Sequence, residues 1–523
     1  MRIFDAKVTR LCEAAGGPDH SLRKAEGENL RSLILTCASD CCDLSMYMLE
    51  RIPRSVLVGG GLIAALVAAY ASYTRPWYFT NKTYLGGLLF LEVLLAAVWM
   101  YRQVFFVFVL FSFLMAGSNL PVGGGWAAAR WFVLGVGAFV GALTMLKERR
   151  HRFGFFHIVA FFAVLTGLLS ASVSQHPDVA LLKVLSVLLL FVYAATGARV
   201  AAIGRESSFF SGLLVGCEIF VAANAFFYAI GIEAMGNPNS LGAVMGAVGA
   251  PVLLWGLLVG GAPKVRQRRL LLYTISIYLV FSSHARAGIA AALLSSAVLC
   301  LALRKYKPLV EGATVLVIAL AATALIRPNA ISSLTSSVVY KNSSNAIFAS
   351  RISPWQSAID NIRDHPWFGM GLGTTAKGAD ATEGHGVFSS TEAVTAEHGS
   401  SYLAILAGVG ILGAIPFAIV LLLLIARIVR TLALARASGS MQDPAIVLAA
   451  LMIAGLLHAF FEDWMFAPGN YLCVFFWSLA FIFVDLSPAR AVSTFGTRWN
   501  FRPHGPYPYP VVSLGSTGFQ KSK

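Results

Sequence analysis

Long apolar segments follow one another through most of this chain, and they limit the folds that it can adopt. About 20 helical residues cross the roughly 30 Å hydrocarbon core of a bilayer. Within that core only helices and closed barrels satisfy every backbone hydrogen-bonding group. The sequence therefore predicts an all-α fold, a polytopic transmembrane helical bundle of about 12–14 spans. The apolar runs lie near residues 55–73, 84–101, 104–121, 126–145, 154–173, 178–197, 209–231, 241–260, 270–285, 287–303, 308–326, 401–426, 444–463 and 470–486.

The composition agrees with this prediction and excludes an ordinary soluble domain. Hydrophobic residues make up 57% of the chain and charged residues 12%, and the mean hydropathy is +0.72. These values lie outside the range of soluble globular proteins. The first apolar run begins near Val56, after a long polar stretch, whereas a cleavable signal peptide has its apolar core close to the N-terminus. We therefore expect this run to remain as a span.

The basic residues are grouped in short clusters between the apolar runs. The formal charge is +15, and two of the clusters are Lys147–Arg152 and Lys264–Arg269. Because alternate connections carry the Lys and Arg, the positive-inside rule places them and both termini in the cytoplasm. The same clusters favour contact with anionic membrane lipids. Nucleic acid binding is not expected.

Polarity divides the chain into five regions. Residues 327–400 form the one long polar interruption, which the orientation rule places outside the cytoplasm. The tail is rich in Pro, Gly, Ser and basic residues, which favours disorder. The predicted regions are a cytoplasmic N-terminal extension (1–54), transmembrane helices (55–326), an extracytoplasmic functional loop (327–400), transmembrane helices (401–487) and a basic, disordered cytoplasmic tail (488–523).

The cysteines do not indicate a metal site. Of the seven cysteines, Cys37, Cys41 and Cys42 are clustered, but no second pair and no histidine accompanies them. Zinc sites usually combine two such pairs. Reduced cytoplasmic thiols are the better interpretation.

The loop 327–400 contains residues that argue against simple disorder. Tryptophan, phenylalanine and spaced glycines occur in it, whereas disordered segments contain few aromatic residues. A loop of this length in a compact protein usually has a function. The glycines of Gly369-Met-Gly371-Leu-Gly373 follow no strand, so we interpret them as backbone turns and not as a phosphate-binding loop. His365, which precedes a proline, is interpreted as a turn or packing residue.

Two arginines and one histidine are the strongest candidates for chemistry. Arg286 lies where two apolar runs meet, and a charged side chain at membrane depth usually marks a functional site. The alternative is an arginine whose long side chain reaches the lipid headgroups. Two guanidinium groups, here Arg286 and Arg351, can bind a pyrophosphate without a metal. His398 can accept a proton from a sugar hydroxyl. A single loop histidine is, however, commonly an ordinary surface residue.

Further polar residues are predicted on the same outer side. Asn237 and Asn239 lie in a turn between two apolar runs, and Glu462 and Asp463 follow a later run. Paired carboxylates can act as a base or as metal ligands, but adjacent helical positions point in different directions. An orienting role, or simple helix termination, is therefore favoured over a metal site.

Several short motifs occur in a characteristic order. They are Asn237-Pro-Asn239 at an outer turn, Arg286 at a helix junction, Arg351-x-x-x-Trp355, His365-Pro-x-x-Gly-x-Gly, and His398-x-x-x-Tyr402-Leu-x-Ile-Leu-x-x-x-Gly410-Ile-Leu-Gly413. Their order and spacing, from about residue 236 to 480, resemble the O-antigen ligase and polysaccharide polymerase superfamily. Many members have His-Asn or His-Ser before an aromatic residue, where this chain has His398-Gly-Ser-Ser-Tyr402.

The resemblance implies a glycosyltransferase of the bacterial inner membrane. Its donor would be a glycan on undecaprenyl pyrophosphate at the extracytoplasmic face, and its acceptor a second glycan, a lipid or a protein. Arg286 and Arg351 would match the pyrophosphate-binding arginines, and His398 the histidine that activates the acceptor hydroxyl. Asn237, Asn239, Trp355, His365, Tyr402, Glu462 and Asp463 would at most bind or orient substrate. The reaction would invert the anomeric carbon and need no metal or other cofactor. Membrane lipids and other polysaccharide-assembly proteins are the expected partners.

Two functions of other classes compete with this interpretation. A flippase for lipid-linked oligosaccharides, or a polysaccharide exporter, would also have many spans and buried cations. Its charges should follow a path through the membrane, whereas the unusual polar residues here are predicted on one side. A structural subunit of a cell-envelope assembly would leave Arg286 unexplained.

Overall fold

The computed structural model describes residues 105–119, 123–148, 153–326, 329, 336, 349–374, 399–439 and 443–487. The chain divides into two units, Met1–Val93 and Leu94–Lys523, and all described residues belong to the second. The predicted spans near 55–73 and 84–101, the extension 1–54 and the tail 488–523 lie outside the described residues.

Helices make up most of the described residues, and these residues contain no strand, which confirms the predicted all-α fold. Each predicted apolar run from residue 104 onward corresponds to a helix. The helices are α1 (Phe105–Ala116), α2 (Gly123–Glu148), α3 (Phe155–Val173), α4 (Pro177–Ala202), α5 (Glu206–Ala229), α6 (Pro238–Val259), α7 (Pro263–Ser282), α8 (Arg286–Ala302), α9 (Tyr306–Ile326), α10 (Ala349–Asp364), α11 (Ser401–Ser438), α12 (Pro444–Phe461) and α13 (Tyr471–Leu486).

Seven helices in the described part of the chain are long and apolar enough to cross a membrane: α2, α3, α4, α5, α6, α11 and α12. Helices α1, α8 and α13 are shorter but also apolar. Large apolar side chains such as Phe139, Phe162 and Ile219 are more than half exposed. Water would make such exposure unfavourable, whereas lipid tails would not. The seven long apolar helices therefore fit the transmembrane bundle that the hydropathy predicts.

An ion pair between helices lies at the end of α4 that is predicted to face the cytoplasm. Arg199 is 2% exposed and pairs with Asp485 of α13, while its guanidinium lies 5.7 Å from the ring centre of Phe153. The predicted apolar run 178–197 ends before Arg199, but helix α4 continues to Ala202 and includes it. A buried arginine is tolerated there because a carboxylate compensates its charge.

Small residues bring α6, α8 and α12 close together. A Cβ atom on Gly246 would lie 2.2 Å from the carbonyl oxygen of Gly288, so these helices approach backbone to backbone. A Cβ on Gly242 would lie 2.2 Å from the hydroxyl of Ser283, just before α8 begins. Glycines four residues apart are a common means of such close packing in membranes. The contact places the start of α6 beside the start of α8. A core of small residues connects the three helices: Ala247, Ala291 and Ala454.

Residues 366–373, called here the glycine strap, run against the first part of α11. Positive φ angles at Gly369, Gly371 and Gly373 (68°, 103° and 74°) confirm that these glycines form backbone turns. Only glycine adopts such angles without strain. The backbone N–H groups of Met370 and Gly371 in the strap donate to the carbonyl oxygens of Ala407 and Gly408 in α11. In the other direction, the N–H groups of Ile411 and Leu412 donate to the carbonyl oxygens of Pro366 and Trp367.

The strap fits because α11 is broken at Gly410. This residue has a φ of 67° and a ψ of −178°, and a Cβ there would lie 2.4 Å from the carbonyl of Trp367. The hydroxyl of Ser170 in α3 lies 2.6 Å from the carbonyl oxygen of Phe368 and 2.8 Å from that of Gly408. The strap thus joins the loop that follows α10 to two helices of the bundle.

We expect Gly410→Ala to destabilise the protein much more than Gly439→Ala. Both glycines have a φ of 67°, but no atom lies within 4 Å of a Cβ built on Gly439. A side chain at Gly439 costs about 1–2 kcal/mol, because its ψ of 5° gives a left-handed helical backbone. The ψ of −178° at Gly410 is adopted essentially only by glycine and costs about 1–3 kcal/mol, to which overpacking adds about 1–3 kcal/mol. Apparent unfolding temperatures of the two purified variants in one detergent measure the difference. Equal decreases in unfolding temperature would show that contact with the strap does not stabilise the broken backbone at Gly410.

Candidate functional site

Arg351 lies in the first turn of α10 and pairs with Glu462, the residue that follows α12. The side chain of Arg351 is 14% exposed and that of Glu462 is 23% exposed. Partial burial strengthens a charge pair relative to one in water, and the pair restricts where the guanidinium can point. Glu462 thus holds Arg351, and its predicted role in orienting substrate stays a prediction.

Arg286 is the first residue of α8, which packs against α12. Ala291 of α8 and Ala454 of α12 share a buried cluster, which places the start of α8 near the end of α12, where Glu462 holds Arg351. Two cations close together disfavour each other unless an anion binds between them. The structure thus brings together both arginines that the sequence singled out.

Trp355 links α10, the helix that contains Arg351, to the segment before α11. Its indole Nε1–H donates to the carbonyl oxygen of Gly399 at 3.1 Å, and its ring lies 6.2 Å from that of Phe460. Gly399 directly follows His398 in the sequence. His398 itself lies outside the described residues, so its assignment stays a prediction.

Ser401, the first residue of α11, is fully buried and binds the turn after α12. Residues 462–465 are called here the acidic turn. The Ser401 hydroxyl donates to the carbonyl oxygen of Glu462 at 2.7 Å and accepts from the N–H groups of Trp464 at 3.1 Å and Met465 at 3.0 Å. The hydroxyl of Tyr402 donates to the carbonyl of Leu456 at 2.8 Å, so Tyr402 fastens α11 to α12.

Glu462 and Asp463 follow the last residue of α12, so the predicted helix termination falls at this pair and the two residues are not adjacent positions of a helix. The charge of Asp463 acts on Lys183 of α4, and the charge of Arg130 acts there too. The stem of Lys183 packs against the strap, since a Cβ on Gly373 would lie 2.8 Å from its Cγ. Among the described residues no three His, Cys, Asp or Glu side chains are grouped so that they could hold a metal ion. Cations of α2 and α4 thus lie near the acidic turn.

The remaining candidates have structural contacts. The Asn237 side chain accepts the N–H of Ser240 at 2.8 Å and caps α6, and Asn239 is exposed in the first turn of that helix. The carbonyl of His365 accepts the N–H of Gly369 at 3.1 Å, which closes a turn after α10. This bond agrees with the interpretation of His365 as a turn residue.

Ser401 and His458 belong to this region but were not singled out in the sequence. His458 is buried in α12, and its Nδ1 accepts the indole N–H of Trp464 at 2.8 Å. A single histidine in an apolar helix just before an acidic pair is a signal that could have indicated it. No comparable sequence signal indicates Ser401, because the hydrogen-bond partners of its hydroxyl are backbone groups of a distant turn.

Residues 271–418 match the family model described as O-antigen ligase. This segment includes Arg286, Arg351 and the glycine strap. The match confirms the predicted resemblance to the O-antigen ligase and polysaccharide polymerase superfamily over this part of the chain, and it indicates a glycosyltransferase-like membrane enzyme. No curated protein shows significant similarity to the chain.

Proposed function

We propose that this protein transfers or polymerises glycan from an undecaprenyl-pyrophosphate donor, as an O-antigen ligase-like enzyme or an exopolysaccharide polymerase. The observation that carries the proposal is the position of Arg286 at the start of α8, which packs against α12, and of Arg351 beside Glu462 at the end of α12. Planar guanidinium groups bind phosphate oxygens in two-pronged fashion and keep their charge at any physiological pH. Two such groups can therefore bind a pyrophosphate without a metal ion.

The pairing of Arg351 with Glu462 is compatible with this role. A guanidinium has five N–H donors, more than one carboxylate can use. Glu462 can therefore hold one edge of the group while another edge binds a phosphate oxygen. Such preorganisation lowers the cost of binding, because the side chain is already ordered.

His398 is proposed to accept the proton of the acceptor hydroxyl. The carbonyl of the next residue, Gly399, accepts a hydrogen bond from Trp355, one helical turn beyond Arg351. In the proposed step the hydroxyl oxygen bonds to the anomeric carbon while the bond from that carbon to the phosphate oxygen breaks. The proton passes to His398, and the electron pair leaves with the carrier pyrophosphate, whose charge the arginines stabilise. Attack opposite the leaving group inverts the anomeric configuration, and no metal takes part.

The extracytoplasmic face is proposed from the distribution of basic residues. Alternate connections carry the Lys and Arg, which the positive-inside rule assigns to the cytoplasm. Arg286, α10 and the acidic turn then lie on the opposite side, where a lipid-linked glycan would be presented. In this arrangement the termini face the cytoplasm of a bacterial inner-membrane protein.

We expect the purified wild-type protein to transfer glycan from a lipid-linked donor equally well with and without EDTA. Two guanidinium groups replace the divalent cation that other pyrophosphate enzymes need. The measurement is mass analysis of the products, and in right-side-out vesicles these products should bind an externally added lectin.

Absence of transfer from any carrier-linked donor would refute the proposed activity. Loss of transfer in EDTA would refute the metal-independent mechanism, and products hidden from the lectin would refute the proposed face.

The polymerase and the ligase differ in acceptor, so a deletion strain separates them. A lost polymerase leaves single repeat units on the carrier, whereas a lost ligase leaves long chains there. Mass analysis of the accumulated carrier-linked glycans gives the answer directly.

A further inference from the structure

We infer that Ser401 is a positioning residue, which sets the Arg351–Glu462 pair relative to the segment that follows His398. The inference rests on the proposed function and adds to it a group that touches neither donor nor acceptor. It starts from the position of Ser401, at the first residue of α11 and directly against the acidic turn.

One hydroxyl makes three hydrogen bonds to this turn. Ser401 Oγ donates to the carbonyl oxygen of Glu462 at 2.7 Å and accepts two backbone N–H groups, those of Trp464 and Met465. A serine hydroxyl has one donor and two acceptor positions, so these bonds use its full capacity. Because Ser401 is 0% exposed, loss of its hydroxyl leaves the buried carbonyl and N–H groups of the turn without this partner.

The far side of the turn is held independently of Ser401. The indole of Trp464 donates to His458, and the carbonyl of Met465 accepts from Trp477 Nε1 at 2.7 Å and from Cys473 Sγ at 3.1 Å. Removal of the Ser401 hydroxyl should therefore leave Trp464 and Met465 anchored. The Glu462 end of the turn loses its hydrogen bond to α11.

Displacement of Glu462 is transmitted to the site through its side chain, which pairs with Arg351. On the other side, Ser401 is two residues from Gly399, whose carbonyl oxygen accepts a hydrogen bond from the indole N–H of Trp355 in α10. Ser401 thus connects the acidic turn to the segment that carries His398. An error of about 1 Å in such a relation can cost about a hundredfold in rate.

We expect Ser401→Ala to lower kcat roughly 10- to 100-fold, with a smaller change in KM for the donor. The matched control is Ser112→Ala, since Ser112 is also 0% exposed but bonds to the carbonyl of Val109 in its own helix. Folded yield and apparent unfolding temperature of both variants are measured alongside. We expect both variants to fold, and only Ser401→Ala to lose turnover.

A double-mutant cycle separates positioning from a general loss of stability. If Ser401 acts through Glu462, then Ser401→Ala should cost little more in the background of Glu462→Gln. Fully additive losses, or normal turnover by Ser401→Ala, would overturn the inference.

Inorganic pyrophosphate gives a second readout that does not depend on turnover. The affinity of the wild-type protein for pyrophosphate, measured by calorimetry, should fall several-fold in Ser401→Ala and in Glu462→Gln, but not in Ser112→Ala. A protein that binds pyrophosphate in this pattern but transfers no glycan would refute the proposed function and support the role of Ser401. A wild-type protein that binds no pyrophosphate would overturn both.

Discussion

Replacement of His398 by alanine is expected to abolish detectable glycan transfer while leaving binding of the lipid-linked donor nearly unchanged. General-base catalysis of this kind contributes roughly 10²–10⁴-fold. Donor binding should persist because Arg286 and Arg351, and not the histidine, are assigned to the pyrophosphate. Single-turnover transfer and donor binding, measured on the same purified preparation, test the two halves of this expectation.

The control for this experiment is His365→Ala. His365 lies on the same loop, and the hydrogen bond that closes its turn uses its backbone carbonyl, which the substitution keeps. It should retain most of the transfer activity. Near-normal transfer by His398→Ala would remove the base assignment and direct attention to Glu462 as the proton acceptor.

Arg286→Lys and Arg351→Lys are each expected to lose most activity, although the charge is kept. An ammonium group is a point charge and cannot reproduce two-pronged phosphate binding. At position 351 the lysine would also have to choose between Glu462 and the phosphate, since it lacks the second edge of a guanidinium. Loss of one charge-assisted contact costs about 1.5–3 kcal/mol, or roughly tenfold to more than a hundredfold in kcat/KM.

Arg363→Lys is the matched control for Arg351→Lys. Arg363 lies on the same helix, but its side chain is 76% exposed and it pairs with Asp360 on the helix surface. An exposed pair of this kind contributes little, so turnover should stay at the wild-type level. Wild-type turnover in Arg286→Lys, at normal protein levels, would instead indicate an arginine that merely extends to the headgroups.

The positions of the membrane helices were predictable because their cause is local. An apolar run of sufficient length must be helical in lipid, whatever its neighbours are. For this reason each predicted run from residue 104 onward corresponds to a helix. Helix ends were less predictable. The predicted run 178–197 ends before Arg199, but α4 continues to Ala202, and the carboxylate of Asp485 on another helix compensates the charge of Arg199 there.

The loop 327–400 illustrates the opposite case. Its aromatic residues and glycines indicated order, and the glycines of 369–373 were correctly interpreted as turns. Helix α10 and the path of the strap along α11 were not predicted. The strap depends on backbone hydrogen bonds to residues 407–412 and on the break at Gly410. A sequence pattern does not indicate which distant carbonyl an N–H group will bind.

By itself, the sequence determined the class of fold, the predicted orientation, the family resemblance and the residue types suited to phosphate and proton transfer, since these follow from composition and short motifs. Only the tertiary structure decided which of these residues act together. Arg351 pairs with Glu462, which is 111 residues away, because Trp355 of α10 binds Gly399 just before α11, and Ser401 of α11 binds the turn that contains Glu462. The role of Ser401 was hidden for the same reason: its partners are backbone groups of a distant turn, and their positions depend on how the helices pack.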